Sequence, residues 1–318
     1  MKTNIESSKI DQLATVAMLK YKMDYSQARI AEILGVSSMT VSRMLESAID
    51  EGIVEITIKT TVDDDKELSR ELKDRYKLHD ALIVKNNLYE DEVTTVAKAA
   101  AFYLDLAICP GDVLGVSAGR TLSQLMPYMS LPLIGRNKDQ FRVVQLQGGY
   151  AALGDRNPTL SIINFANRFG IKGQILQHPM YAPTMQSAKH IYEQYGEFLE
   201  KMWKKCTLLV CGVGIRGSGN LLQEEKLITE ADLQELDEAE AVGDLFGRWF
   251  DANGREIACS CNRRLISVLP HLLQDIPRRI LVASGEEKVL SIRVLLEKSM
   301  MNILISDEQT AKKLLQTY

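Results

Sequence analysis

"QARIAEILGVSSMTVSRMLESAIDEGIVEITIK", residues 27–59, divides at its own start and stop signals into two helices and a strand. Ser26 is placed to cap a helix over 27–34, and Ser37 to cap a second that runs to about Glu51, where Gly52 ends it. Gly35 supplies the tight turn between them, since glycine takes positive φ without steric cost. Ile30, Ala31, Ile33 and Leu34, then Val36, Val41, Met44 and Leu45, put apolar groups where two steeply crossed helices must touch. Ala31 is small at the closest approach. So many agreeing positions read as a helix-turn-helix, a far more specific signal than any lone dipeptide. Upstream, Ile10, Leu13, Val16, Ala17 and Leu19 recur at helical spacing and predict a helix that completes a three-helix core. Downstream, Ile53, Val54, Ile56 and Ile58 predict a short strand, as in a winged variant, so the unit is assigned to residues 1–60.

In such a unit the second helix enters the major groove, and its outward N-terminal side chains meet base edges. Those are Ser38, Met39, Thr40, Ser42 and Arg43. Arg43 can bond a guanine bidentately or grip a phosphate, Met39 can press on a thymine methyl, and the hydroxyls can reach either base or backbone. Lys22, Tyr25 and Gln27, near the start of the first helix of the pair, would lie over the phosphates. The competing explanation is a structural helical hairpin or a protein-binding module. Residues 1–60 carry seven Lys/Arg against eight Asp/Glu, so a single copy would release few counterions and bind duplex weakly. Two or more copies on paired half-sites compensate, which implies an oligomer.

With 318 residues, 46% hydrophobic and 25% charged, the chain has room for two folded domains of ordinary composition. A net charge of −4 argues against a general nucleic-acid coat and lends nothing to a membrane-surface role. No apolar run approaches the roughly 20 residues of a membrane span, and MKTNIESSKIDQL lacks a signal peptide's apolar core. The chain is read as cytoplasmic, without a membrane partner. Cys109, Cys206, Cys211, Cys259 and Cys261 include no CxxC pair and no histidine at ligand spacing, so they are read as reduced core thiols. Neither a metal nor a cofactor is called for.

After the strand, Asp63-Asp64-Asp65 suits the N-terminus of a linker helix through Leu68, Leu72 and Tyr76. From about residue 80, short β-rich runs alternate with helical stretches. The runs are "ALIV" (81–84), "DVLGVS" (112–117), "FRVVQLQ" (141–147), "GQILQ" (173–177), "TLLVCGVG" (207–214), "RILVAS" (279–284) and "NILIS" (302–306). Helices are expected around 92–108, 158–169, 186–203, 264–274, 287–299 and 307–316. This alternation predicts a mostly parallel sheet covered on both faces, an α/β Rossmann-like layered domain over residues 61–318.

Ligands of open α/β sheets bind beyond the carboxyl ends of the strands. Beyond the second strand come Ser117, Gly119, Arg120 and Thr121, an anion cradle of glycine, hydroxyls and a helix start. Beyond the third come Gln147, Gly148 and Gly149, a backbone open to close approach; beyond the fifth, Gly214; beyond the sixth, Lys288. Any one of these glycine loops is equally well explained by the tight turn it makes, and a lysine on a helix is usually a solvated charge. Together they converge on one rim. Arg120, Thr121 and Lys288 suit a phosphorylated ligand, and Asp244 in "AVGDLFGRWFDANG" can accept bonds from sugar hydroxyls.

Taken with the helix-turn-helix, the ordered segments "GVSAGRTL", "VVQLQGG", "VCGVG", "AVGDLFGRWFDANG" and "SGEEKVLSIRVLLEKSMMNILISDEQTAKKLL" make about residues 10–316 resemble the SorC family of sugar-responsive bacterial transcription regulators. The resemblance implies an effector domain of the sugar-phosphate-isomerase type, a tetramer built from paired dimers, and a sugar or sugar-phosphate effector that alters binding to operator DNA. By position, Ser117, Gly119, Arg120 and Thr121 match the family's phosphate-side loop, Gly148 and Gly149 its glycine pair, Asp244 its Gly-Asp acid and Lys288 its late lysine. The chain departs from it at Ser284-Gly285-Glu286-Glu287, where many members have Gly-Gly; the added acids oppose a phosphate.

Two functions compete. One is a DNA-binding regulator of a carbohydrate-utilisation operon, a homodimer or homotetramer controlled by its effector. The other is a sugar-phosphate isomerase or deaminase with a helical appendage, which needs a positioned base near the substrate carbonyl. His79 and His271 sit in helical or linker contexts, and His178 and His190 flank an irregular stretch with no evident carboxylate partner, while Asp244 can serve as the base. No catalytic residue is assigned.

Overall fold

Ser26 and Ser37 perform the capping expected of them in the computed structural model, which describes residues 2–54, 62–86, 89–117, 119–131, 140–150, 154, 156–217 and 219–316. The Ser26 hydroxyl accepts from the Arg29 N–H at 3.2 Å and that of Ser37 from the Thr40 N–H at 3.1 Å, opening helices α2 (Gln27–Leu34) and α3 (Ser38–Asp50) behind α1 (Lys2–Tyr21). Gly35 takes φ 64° and closes α2 in the left-handed conformation, where a Cβ would be strained. Leu13, Val16 and Ala17 from α1, Ile30 and Ala31 from α2, and Val41, Leu45 and Ala48 from α3 form the buried core of this unit. Ile10, Ile33, Leu34 and Val36, expected inside, are exposed. A three-helix unit is too small to bury a wide stripe of each helix, and α2 buries only adjacent Ile30 and Ala31. Of the expected wing strand, Ile53 and Val54 pack beside Ala48; residues 55–61 lie outside the described residues.

The chain divides into two compact units, Met1–Thr61 and Val62–Tyr318. Asp65 caps α4 (Lys66–Tyr76), accepting from the Leu68 N–H, as the acidic run predicts. There follow β1 (Asp80–Val84), α5 (Glu92–Ala107), β2 (Val113–Val116), α6 (Arg120–Leu125), β3 (Arg142–Gln145), α7 (Pro158–Phe169), β4 (Lys172–Gln174), α8 (Met185–Trp203) and β5 (Leu208–Cys211). Then come β6 (Gly214–Ile215), α9 (Leu221–Glu224), α10 (Glu230–Glu238), β7 (Gly243–Leu245), β8 (Arg248–Phe250), α11 (Ser260–Arg264), α12 (Pro270–Leu273), β9 (Arg278–Val282), α13 (Val289–Glu297), β10 (Ile303–Asp307) and α14 (Glu308–Leu315).

Seven strands form one parallel sheet in the order β1-β10-β9-β5-β2-β3-β4, and β6-β7-β8 form a small antiparallel sheet. Alternation along each strand explains both faces. In β5, Leu208 and Val210 join the cluster under α5, α6 and α7, while Leu209 and Cys211 join the one under α4, α8, α12, α13 and α14. A fully covered parallel sheet needs apolar side chains in both directions, hence the uninterrupted LLVC. A third cluster, with Trp249, Leu222, Leu236 and Cys261, sits under the small sheet.

Two further expectations fail. The stretch 264–274 is not a helix: Leu265–Val268 run extended between two partners, with Ile266 N–H donating to the Met180 carbonyl (2.8 Å) and Val268 N–H to that of Leu146 (2.7 Å). Pro270 restarts a single helical turn, since a proline disfavours helix in the residue before it. Cys109, read as a core thiol, is exposed, whereas the other four cysteines are buried. No described helix is long and apolar enough to cross a membrane.

Ile30 is wholly buried among the three helices. Ile30→Ala is expected to destabilise residues 1–61 by ~2–5 kcal/mol, seen as a lowered denaturation midpoint for that unit, with the far larger unit's midpoint unmoved.

Candidate functional site

Strand order reverses between β2 and β5: the chain leaves β2 toward β3 on one side and later returns to β5 on the other. The loops beyond these two strands therefore diverge, and a cleft of about 90 Å³ opens between them. Ser117, Gly119, Arg120 and Thr121 enter from the β2 side, Gly212–Gly214 from β5, Lys288 from beyond β9, and Asp244, Phe246 and Gly247 from the β7–β8 hairpin. Gln147 and Met180 close the floor. A wider, open groove of about 700 Å³ continues outward past Arg120, Thr121, Lys288 and Glu92.

The cleft has two chemically different poles. At one, Arg120 donates to the Gly219 carbonyl (2.7 Å) and keeps its remaining N–H groups, while the Lys288 ammonium has no hydrogen-bond or ion-pair partner among the described residues. Burial pulls the Lys288 ammonium below the ordinary lysine range and Arg120 adds repulsion; Glu287, Glu92 and Asp307 only partly offset this. Of the two added acids, Glu286 pairs with Lys313, away from the ammonium. At the other pole, Asp244 is 8% exposed. Its Oδ1 accepts from Asn220 Nδ2 (3.0 Å) and its Oδ2 from the Gly247 N–H (3.0 Å). Each oxygen keeps an open lone pair. Beside it, buried Gln147 reaches only the Met180 sulfur (3.9 Å) with its amide nitrogen, and its Oε1 has no partner among the described residues. A buried unpaired acceptor costs about 1–3 kcal/mol, which a ligand donor would remove.

Gly214 is required by this pole. A Cβ there would stand 1.8 Å from Asp244 Oδ1 and 2.8 Å from Asn220 Nδ2. Gly148 and Gly149, expected at the rim, do not line the cleft. Their N–H groups donate to the carbonyls of Ile266 (2.8 Å) and His178 (2.9 Å), so they are backbone packing positions, tied into the extended layer that sequence reading took for a helix. Asn220, Phe246 and Met180 line the cleft and were not singled out from sequence. The signal for Asn220 was present in "GSGN" (217–220), where asparagine after a glycine loop marks a helix cap. No histidine lines the cleft, and no cluster of metal-ligating side chains occurs among the described residues.

On the small unit, Lys22, Tyr25, Gln27, Ser38, Met39, Thr40 and Arg43 are exposed and Ser42 is half-buried. Met39, at 67%, is the most exposed apolar side chain of α3. Lys9 pairs with Glu51 and Arg29 with Glu32, whereas Arg43 and Lys22 pair with no acid among the described residues. The Thr40 hydroxyl shares a hydrogen bond with that of Ser37 (2.8 Å).

The Sugar-bind family model, described as "Putative sugar-binding domain", matches residues 60–316. The chain is 31% identical over 302 residues to the deoxyribonucleoside regulator of Bacillus subtilis (strain 168), covering 94% of this chain and 95% of that one. With the sorbitol operon regulator of Klebsiella pneumoniae it shares 23% identity across 98% and 99% of the two chains. The chain belongs to the SorC family. The crystal structure of full-length SorC from Klebsiella pneumoniae has the same fold, with a TM-score of 0.71 at 24% identity over 96% of this chain and 99% of that one. Membership makes this SorC-family protein a transcriptional regulator carrying a sugar-binding domain rather than an enzyme of sugar-phosphate conversion.

Burial raises the Asp244 carboxyl from 3.8 to about 6, against the opposing hydrogen bonds of Asn220 and Gly247. The folded state therefore holds a proton that the unfolded chain has released, a stabilisation complete below about pH 4 and lost as pH rises through about 6. Asp244→Asn removes this dependence. In chemical denaturation, the wild type is expected to lose ~3 kcal/mol relative to the variant between pH 4 and pH 7, and parallel pH profiles would contradict it.

Proposed function

We propose that this protein regulates a carbohydrate-utilisation operon, its residues 1–60 gripping operator DNA and its residues 61–318 holding a sugar or sugar-phosphate effector in the switch-point cleft. The observation that carries the reading is the coexistence, in one cleft, of an unpaired cation pole and a buried acceptor pole. Arg120 and Lys288, with the hydroxyls of Ser117 and Thr121 and the backbone at Gly119, suit a phosphate. Asp244 and Gln147, with Gly214 leaving room beside them, suit the hydroxyls of the sugar. A sugar phosphate satisfies both poles at once, and an unphosphorylated sugar satisfies one.

On the small unit, Arg43, Met39, Ser38, Thr40 and Ser42 are the residues proposed to meet base edges, with Lys22, Tyr25 and Gln27 on the phosphates. The exposed free cations there are few, which favours two or more reading units on paired half-sites and hence a homodimer or homotetramer working in the cytoplasm. Effector binding would change which relative placement of those units is favoured, provided its affinity differs between the two states.

Duplex binding and thermal melting, measured on the same protein, test the assignment. Arg43→Ala is expected to weaken binding to the operator by ~1–3 kcal/mol while the melting shift given by sugar phosphates is retained; unchanged operator affinity removes Arg43 from the reading surface. Lys288→Ala is expected to do the reverse, keeping duplex affinity and losing most of the melting shift from phosphorylated sugars. A full shift in that variant removes Lys288 from the phosphate pole.

A further inference from the structure

Asn220 lines the cleft, yet its amide has nothing left to offer a ligand as a donor. It is 2% exposed. Its Oδ1 accepts from the N–H groups of Leu222 (2.8 Å) and Gln223 (3.2 Å), capping α9, and this double contact fixes the side-chain rotamer. Its Nδ2 donates one hydrogen to the Ile215 carbonyl (2.8 Å) and the other to Asp244 Oδ1 (3.0 Å). Whatever Asn220 does for a ligand it therefore does through Asp244. The opposite carboxylate oxygen is gripped from the hairpin's own turn by the Gly247 N–H. The carboxylate is thus held by one donor on each side, in a space between β6 and β7 that exists only because Gly214 has no side chain.

The neighbours of Asp244 leave this grip without an electrostatic substitute. Gly214 on β6 and Trp249 on β8 stand opposite it and do not titrate. Tyr181 feels the Asp244 charge, but burial keeps its hydroxyl neutral and that hydroxyl donates to the Gly247 carbonyl (2.6 Å). Arg120 and Lys288 lie on the cleft lining without an ion pair to Asp244. Two hydrogen bonds, then, are what favour the charged form against burial.

We propose that Asn220 is the positioning residue of effector recognition: by holding the Asp244 carboxylate ionised and aimed into the cleft, it makes that oxygen pair an acceptor for sugar hydroxyls. This rests on the cleft being the effector site. A neutral carboxyl would present one acceptor and one donor in place of two acceptors, so loss of the Asn220 contact changes which hydroxyl pattern the pole can read.

The test uses the full chain with Asn220→Ser, which keeps an oxygen able to cap α9 and removes the amide donor. Asn220→Asp serves as a second variant that keeps the cap and sets a carboxyl against Asp244. Carboxyl-carbon NMR of aspartate-labelled protein, with Asp244→Asn locating the signal, follows the Asp244 titration directly. The midpoint is expected near 6 in the wild type and about one pH unit higher in Asn220→Ser, with a larger rise in Asn220→Asp. Ribose 5-phosphate, glucose 6-phosphate and glycerol 3-phosphate are compared with inorganic phosphate by melting shift between pH 6 and pH 8.5. The expected result is that inorganic phosphate binds both variants as it binds the wild type. In Asn220→Ser the extra affinity of the preferred sugar phosphate should fall about fivefold at pH 6 and about twofold at pH 7, following the ionised fraction of Asp244, and return by pH 8.5, with a larger loss in Asn220→Asp. An Asp244 titration unmoved in both variants, or an unchanged pH profile of sugar-phosphate affinity, overturns the inference alone. A wild type that prefers none of the three over inorganic phosphate overturns the effector reading of the cleft and this inference with it.

Discussion

Two neighbouring strands of a parallel sheet whose chain departs in opposite directions cannot cover the gap between their ends, and β2 and β5 are such a pair. Everything assigned to the cleft follows from that geometry. The loop after β2 delivers Ser117 and Arg120 to one wall, the loop after β5 delivers Gly214 to the other, and the hairpin beyond β6 folds Asp244 back over the opening. Buried polar groups gather here because the divergent loops, unlike the strands, have no ladder partner on the gap side. The remainder of the sheet, apolar on both faces, holds this rim in place.

The two poles answer opposite electrostatic problems. Lys288 and Arg120 repel each other in a partly desolvated setting, and Asp244 carries a charge that burial disfavours. Each pole is destabilised by burial, and under the proposed reading a ligand bearing anionic oxygens at one end and hydroxyls at the other relieves both. A site arranged so that ligand binding relieves its own strain is suited to sensing, since occupancy changes the energy of the surrounding loops. Among the described residues no histidine lines the cleft.

Much of this was legible in the chain. Ser26, Gly35 and Ser37 announce both helices of the small unit because capping and left-handed turns are local chemistry. The central parallel strands announce themselves because a doubly covered sheet leaves apolar runs such as LLVC and the ILI of β10, whereas the edge strand β4, KGQ, carries no such run. Less legible was whatever depended on a partner distant in sequence. Leu265–Val268 have the composition of a short apolar helix and run extended because Leu146 and Met180 offer backbone partners on either side. Gly148 and Gly149 look like ligand-approach glycines until their N–H groups are found bonded to Ile266 and His178. Asn220 reads as a helix cap, which it is; its hold on Asp244, twenty-four residues on, is invisible until β6 and β7 pair.

Coupling between the cleft and the duplex is the central claim, and thermodynamic linkage gives it one direct measure. The dissociation constant of the intact protein for its operator, with and without a saturating sugar phosphate, is compared with that sugar phosphate's own constant with and without operator. The account predicts the same ratio in both directions, ~5–150-fold. A ratio of one, with both ligands bound, would contradict it.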